Sequence, residues 1–155
     1  MLKEDTLTHY KEAHQIEWAN ALPENCPPEN ILVPENEEFY RLLLNKDQIV
    51  DEDWKPYTEL YPNKKYVGDR IIVANGLSIS KNDDFKELTK LPHMKKMFKG
   101  LAKIKLNPMD GVLKQTGKDD KHYTWWRTTS FDNNSAEIIN NEEACLLYTS
   151  PSPRD

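Results

Sequence analysis

The residues with most chemical potential stand together at Lys121–Arg127, which reads KHYTWWR. On a strand, where successive side chains alternate between faces, His122, Thr124 and Trp126 point one way and Tyr123, Trp125 and Arg127 the other. Imidazole titrates near neutrality and can act as acid, base or hydrogen-bond donor. An indole offers a plane on which a base, a sugar or a nicotinamide ring can stack. One face of this strand is therefore expected to be core, and His122, Thr124 and Trp126 to form the polar-aromatic wall of a binding site. The competing reading is that all the aromatics are cross-strand packing.

Arg41, within Phe39–Leu44 (FYRLLL), is a further candidate. It reads either as a ligand clamp, or as an edge-strand charge or the partner of an interior acid. Ser78 and Ser80 flank Ile79 after Gly76 and read as structural, one facing solvent and the other capping a helix. A third pattern is electrostatic. Residues 1–80 carry eight basic and fifteen acidic side chains, whereas 81–121 carry eleven basic and six acidic ones. Lys95, Lys96, Lys99, Lys103 and Lys105 in that stretch could track a phosphate backbone; alternatively they form a solvated, solubilising face. Only three Arg precede residue 145, and Arg is the residue suited to bidentate phosphate contacts, so nucleic acid is not the favoured partner.

The usual catalytic signatures are missing. There is no Gly-rich phosphate loop, no dinucleotide fingerprint, no Cys-x-x-Cys and no His-Glu-x-x-His, so no cofactor or metal is expected. His9 and His14 are five apart and do not share a helix face at ligand spacing. Cys26 has no local base.

These residues must be positioned by a chain of 155 residues, a length that fits one domain. Its apolar fraction is 37%, but four Trp, seven Tyr and four Phe supply bulky core material that a disordered chain lacks. No apolar run is long enough for a membrane helix, and Met1–Tyr10 lacks the apolar centre of a secretion signal. Asp5–Leu22 reads as an amphipathic helix capped by Asp5 and ended by Pro23. Residues 25–36 hold Pro27-Pro28 and a further proline, which reads as a stiff arm.

Phe39–Leu44 is read as a strand, with a helix as the rival reading; as a strand it puts Phe39, Arg41 and Leu43 on one face. Ile49–Tyr61 is read as short helical or extended pieces between prolines. Arg70–Ser80 is read as a strand kinked at Gly76, and Ser80 with Asp83 resembles a capping arrangement. A helix over 82–91 follows, then a helical turn from Pro92 through Met94, Met97 and Phe98. Leu101–Leu106, Gly111–Thr116 and Lys121–Thr128 are read as three strands of an antiparallel meander, with a turn at Asn107–Gly111 and a hairpin loop at Gly117–Asp120. The expected class is α+β, an antiparallel sheet with a few packed helices, rather than alternating α/β. The division is an N-terminal helix and arm at 1–36, the α+β domain at 37–130, and a polar tail at 131–144.

Cys145–Asp155 reads CLLYTSPSPRD and resembles a reading frame of a transposase-based sequencing adapter, so 145–155 is expected to be a technical addition and a natural C-terminal part to be missing. Cys26 is then the remaining cysteine, which excludes an internal disulfide and suits a reducing, cytoplasmic setting. The run FYRLLL…DEDW…GLSIS…HYTWW resembles small proteins of bacteria and phages over residues 28–128, a resemblance that brings no activity with it. The layout is also loosely similar to ADP-ribosyltransferase-like folds. That similarity implies Arg41, Ser78 and Tyr57 near a nicotinamide nucleotide, with the family's motif glutamate either at Glu137 or missing. The reading that follows is a small cytoplasmic accessory protein with a ligand or partner site around Arg41, His122, Thr124 and Trp126. Its alternatives are an ADP-ribosyltransferase-like nucleotide-processing enzyme and a nucleic-acid binder.

Overall fold

The computed structural model describes residues 1–139. The adapter-like segment, the end of the polar tail and any missing C-terminal part lie outside the described residues. One eight-stranded antiparallel sheet organises the chain, with short helices on it, so the α+β class stands. Its strands are β1 (Lys3–Thr6), β2 (Asn30–Val33), β3 (Glu37–Leu43), β4 (Leu77–Ser80), β5 (Gly100–Leu106), β6 (Gly111–Gln115), β7 (His122–Arg127) and β8 (Glu137–Ile139). Their spatial order is β1-β2-β6-β7-β4-β3-β5-β8. The helices are α1 (Leu7–Ala13), α2 (Tyr57–Leu60), α3 (Asp69–Ala74), α4 (Phe85–Leu88) and α5 (Pro92–Met97). None is long and apolar enough to cross a membrane.

The three C-terminal strands form where the alternation places them, but they are not neighbours in a meander. β6 and β7 make the expected hairpin. β5 instead pairs along its whole length with β3, from Glu37 opposite Leu106 to Leu43 opposite Gly100. Only residues 107–110 connect β5 to β6, a short tether that includes a 3-10 turn. Such a tether cannot span the three intervening strands, β7, β4 and β3, of a flat sheet, so the sheet must curl. Its concave face encloses Phe39, Leu77, Ile79, Ile104, Leu106, Leu113, Tyr123 and Trp125, together with Trp54 and Phe131. Leu2 and Ala136, beside the two sheet edges, reach this same cluster. Trp125 is held there by its indole N–H donating to Asp110 O at 3.0 Å, and by an edge contact with Phe131 at 4.9 Å. Asn107 and Asp110 cap the turn reciprocally. The chain at Gly111 has φ 134°, and a Cβ there would lie 2.1 Å from Trp126 O, so only glycine lets β6 start against β7.

Four local expectations are corrected. Instead of one helix over 5–22, the chain makes β1 and then the single-purpose turns of α1, capped by Thr6 rather than Asp5. Helical periodicity yields here to sheet pairing: Lys3–Thr6 pairs with β2, and Trp18 bridges Thr128. The proline-rich arm likewise supplies β2, which joins β1 to β6 within the sheet. Arg70–Ser80 divides into α3 and β4 at Asn75-Gly76; a Cβ at Gly76 would meet Thr124 Cγ2 at 2.4 Å. Residues 131–139 are not merely polar tail, because Phe131 is core and β8 extends the sheet beside β5. Ser80 Oγ accepts from Asn82 N, while Asp84 caps α4.

Candidate functional site

The convex face of the sheet has two differently finished ends. Over β2, β6 and the C-terminal half of β7, the N-terminal segment closes on Ile31, Val33, Val112 and Trp126, with Tyr10 at the centre. Over β3, β4 and the start of β7, helices α2, α4 and α5 stand off the sheet and leave a cleft of about 670 Å³. That volume lies in the range of roughly 300–1,000 Å³ typical of small-molecule sites.

Strand register explains the cleft floor. Tyr40 is opposite Ser80, and Ser80 is opposite His122; Ser78 is opposite Thr124. Residues directly across an antiparallel pair share a face, so Tyr40, Leu42, Ser78, Ser80, His122 and Thr124 all belong to the convex side. The concave core takes Phe39, Leu77 and Ile79 from the intervening positions. The roof is apolar: Leu88 from α4, Met94 and Met97 from α5, and Phe98. Tyr57 and Tyr61 stand at one end and the 117–119 turn at the other. Of the large hydrophobic side chains left exposed among the described residues, Tyr57, Tyr61 and Leu91 all border this cleft.

Arg41 enters the cleft from an unusual position. Strand alternation puts it on the side of Phe39 and Leu43, as the spacing predicts. β3 and β4, however, share only the Tyr40–Ser80 register pair. Beyond it the strands part, and the guanidinium fills the wedge. Its Nη1 donates to Ser78 O at 2.7 Å and its Nε to Asp53 O at 2.7 Å. Arg127 holds the next carbonyl, Trp54 O, and its guanidinium lies 5.9 Å from the Trp54 ring. Two cations thus anchor the C-terminal carbonyls of the 3-10 turn Asp51–Trp54, where peptide dipoles favour positive charge. Burial lowers the Arg41 guanidinium to about 10, partly offset by the Asp53 carboxylate, so it is fully protonated at neutral pH. Burial also pushes the Tyr57 phenol up, with Arg41 opposing.

His122 lies at the other end of the cleft. Its Nδ1 is 3.0 Å from Thr116 O, a pure acceptor, so Nδ1 is the donor in that bond. Thr116 Oγ1 is 3.1 Å from the same Nδ1 and 2.8 Å from Thr124 Oγ1. Thr124 is fully buried; it supports His122 through Thr116 and does not reach the cleft.

Arg41 and His122 are therefore brought to one cleft, with Ser78 and Tyr57 between and beside them. Trp126 is separated from them: it is 1% exposed and packs under the N-terminal segment. Alternation assigns it to the correct face, but that face is sealed at Trp126 by residues 10–22, whose docking place the sequence does not give. The lysines also divide. Lys95, Lys96 and Lys99 are exposed on and after α5. Lys103 lies between Glu38 and Glu137, at 3.8 and 3.6 Å, and Lys105 is opposite Glu38 on β3. Carboxylates thus interrupt the basic track. Glu137 sits on β8 against Lys103 and does not line the cleft.

Tyr40, Leu42, Ser80, Met94 and Met97 are cleft residues that the sequence reading does not assign to a site. The signal for Tyr40 and Leu42 was present, since a strand with one buried face has a second face. Met94 and Met97, three apart with Phe98 adjacent, mark the inner side of α5. Among the described residues no group of three or more His, Cys, Asp or Glu is arranged to hold a metal ion. No protein-family model, curated protein or solved structure matches the chain.

Proposed function

We propose that this chain is a small accessory binding protein whose ligand sits in the cleft between β3, β4, β7 and the helices α2, α4 and α5. The observation that carries this reading is the cleft's composition: an apolar roof, a floor with two serines, Arg41 and His122 among its lining, and further charged side chains of both signs around them. Pockets that bind small molecules have this make-up, a mostly apolar lining with a few placed polar groups. Exposed Tyr57, Tyr61 and Leu91 at its edge are surface that a bound molecule would cover. Origin in a bacterium or phage and a cytoplasmic setting belong to the same proposal, on the strength of the sequence resemblance and the single credible cysteine.

A group-transfer enzyme is the second reading. In its favour, Arg41, Ser78 and Tyr57 border one cleft. Against it, Glu137 is outside that cleft, and the carboxylate of Asp53, which lines it, is engaged by Leu44 N and Val50 N at 2.9 and 2.8 Å. Binding needs no such acid and is the reading we adopt. The test is a fluorescence titration with 8-anilinonaphthalene-1-sulfonate on the native protein and on Ser78→Phe. Ser78 is exposed and faces the cleft, so the ring fills the cleft without entering the core. Saturable 1:1 binding that disappears in the variant while Tm holds is the expected result. Equal binding by both proteins would refute the cleft as the site.

A further inference from the structure

We infer that the cleft selects amphipathic anions, molecules with one carboxylate-, phosphate- or sulfonate-type head on an apolar or aromatic body, and that Arg41 holds the head. This deepens the binding reading above and rests on it.

The inference starts from what Arg41 lacks. Its two recorded hydrogen bonds go to the backbone carbonyls of Asp53 and Ser78, which are dipoles and not counter-charges. No carboxylate among the described residues forms an ion pair with it. The nearby carboxylate of Asp53 already accepts from two backbone N–H groups, one on each oxygen. A guanidinium has five N–H donors in a planar fork. Nε and one Nη1 donor are used within the protein. Among the described residues the Nη2 donors have no hydrogen-bond partner, and Nη2 is not sealed from solvent in the way that Arg127 Nε is. Arg41 lines the cleft, so these donors are open to it.

A half-buried cation whose free donors border an apolar cleft is complementary to an anion. Water screens it poorly there, and an incoming oxyanion would meet both charge and an unfilled fork. The remaining cleft charges do not compete for this role. Glu52, Glu87 and Asp119 alternate with Lys55, Lys90 and Lys118 around the rim, and Glu87 pairs with Lys90 at 3.0 Å. Exposed charges of mixed sign contribute little net attraction and are screened by salt. The apolar body of the ligand would lie along Leu42, Leu88, Met94 and Phe98. Flexible methionines there allow bodies of different shape.

Two probes of the same shape test the charge. 8-Anilinonaphthalene-1-sulfonate carries a permanent negative charge, and N-phenyl-1-naphthylamine is its neutral counterpart. Both are titrated against the native protein, Arg41→Gln and Arg41→Lys at pH 7, with Tm measured in parallel. The native protein is expected to bind the sulfonate at least tenfold more tightly than the neutral probe. Arg41→Gln keeps an amide NH2 with two donors for the carbonyls but loses the charge, and should abolish that ratio while leaving neutral-probe affinity within about twofold. Arg41→Lys keeps the charge and should retain part of the ratio. A purely structural Arg41 would move both probes together in both variants, which would overturn the inference, as would equal affinity of the native protein for the two probes. If Arg41→Gln fails to fold, the native ratio and Arg41→Lys still decide. Saturable binding of neither probe would instead remove the binding reading on which the inference stands.

Discussion

The two ends of the convex sheet face are built from the same strands and finished in opposite ways. At one end Trp126, Val112 and Ile31 are large and apolar, and residues 10–22 close over them until Tyr10 and Val112 have no exposure. At the other, the floor of β4 is serine, β7 contributes a histidine, and the covering helices stay apart from the sheet. A sheet face rich in bulky apolar groups draws chain over itself because burial is favourable. A floor of Ser78, Ser80 and His122 offers less apolar area and needs hydrogen-bond partners, so covering it completely would cost more than it returns. The change occurs within a single strand: Trp126 and His122 are four residues apart on β7 and point the same way.

The contrast can be tested from its strongest contact downward. Trp126→Ala should destabilise the fold by about 3–5 kcal/mol in urea titrations, as large-to-small changes in a closed core do, and should unfold the sealed end first in hydrogen exchange. A loss below about 1 kcal/mol would mean that this end is not sealed.

Tyr10 provides a pH test of the same end. Burial, reinforced by Asp110, raises its phenol to about 12. The folded state therefore prefers the neutral phenol. This contribution is fully present below the ordinary phenol value near 10 and is lost as pH rises from there through about 12. Its size is on the order of 2 kcal/mol. Tyr10→Phe should lose less stability than the native protein between pH 9 and 11.5; parallel losses would contradict the assignment. At the boundary between the two ends, Thr124→Val removes the bond to Thr116 and should cost about 1 kcal/mol. It should also weaken probe binding through His122 without touching the cleft wall. At the open end, Ser78→Phe should leave stability within about 0.5 kcal/mol while removing binding.

Much of this arrangement was legible from alternation alone. The period-two pattern located β3, β5, β6 and β7 and assigned Arg41, His122 and Trp126 to faces. Alternation does not give neighbours, however. β5 pairs with β3 because seven consecutive residues match there, and nothing in residues 100–106 announces that choice. The first 22 residues misled for a related reason. Their helical spacing is real, and Tyr10 is the buried residue of α1, but strand pairing at Lys3–Thr6 and at Trp18 outweighed the remaining turns. Trp126 was consequently read as part of an open wall when it is the floor of a closed one. Arg41 is a further case. Neither an edge-strand charge nor an acid's partner describes its place: β3 lies inside the sheet, and Arg41 bonds the backbone carbonyls of Asp53 and Ser78 while bordering the cleft.

The most direct test of the account is a two-dimensional amide and indole NMR titration of the native protein with 8-anilinonaphthalene-1-sulfonate. The account requires shifts concentrated at Leu42, Ser78, Ser80, Met94 and the His122 amide, with the Trp126 indole N–H unmoved. Shifts centred on Trp126 and Tyr10, or no saturable shifts at all, would contradict it.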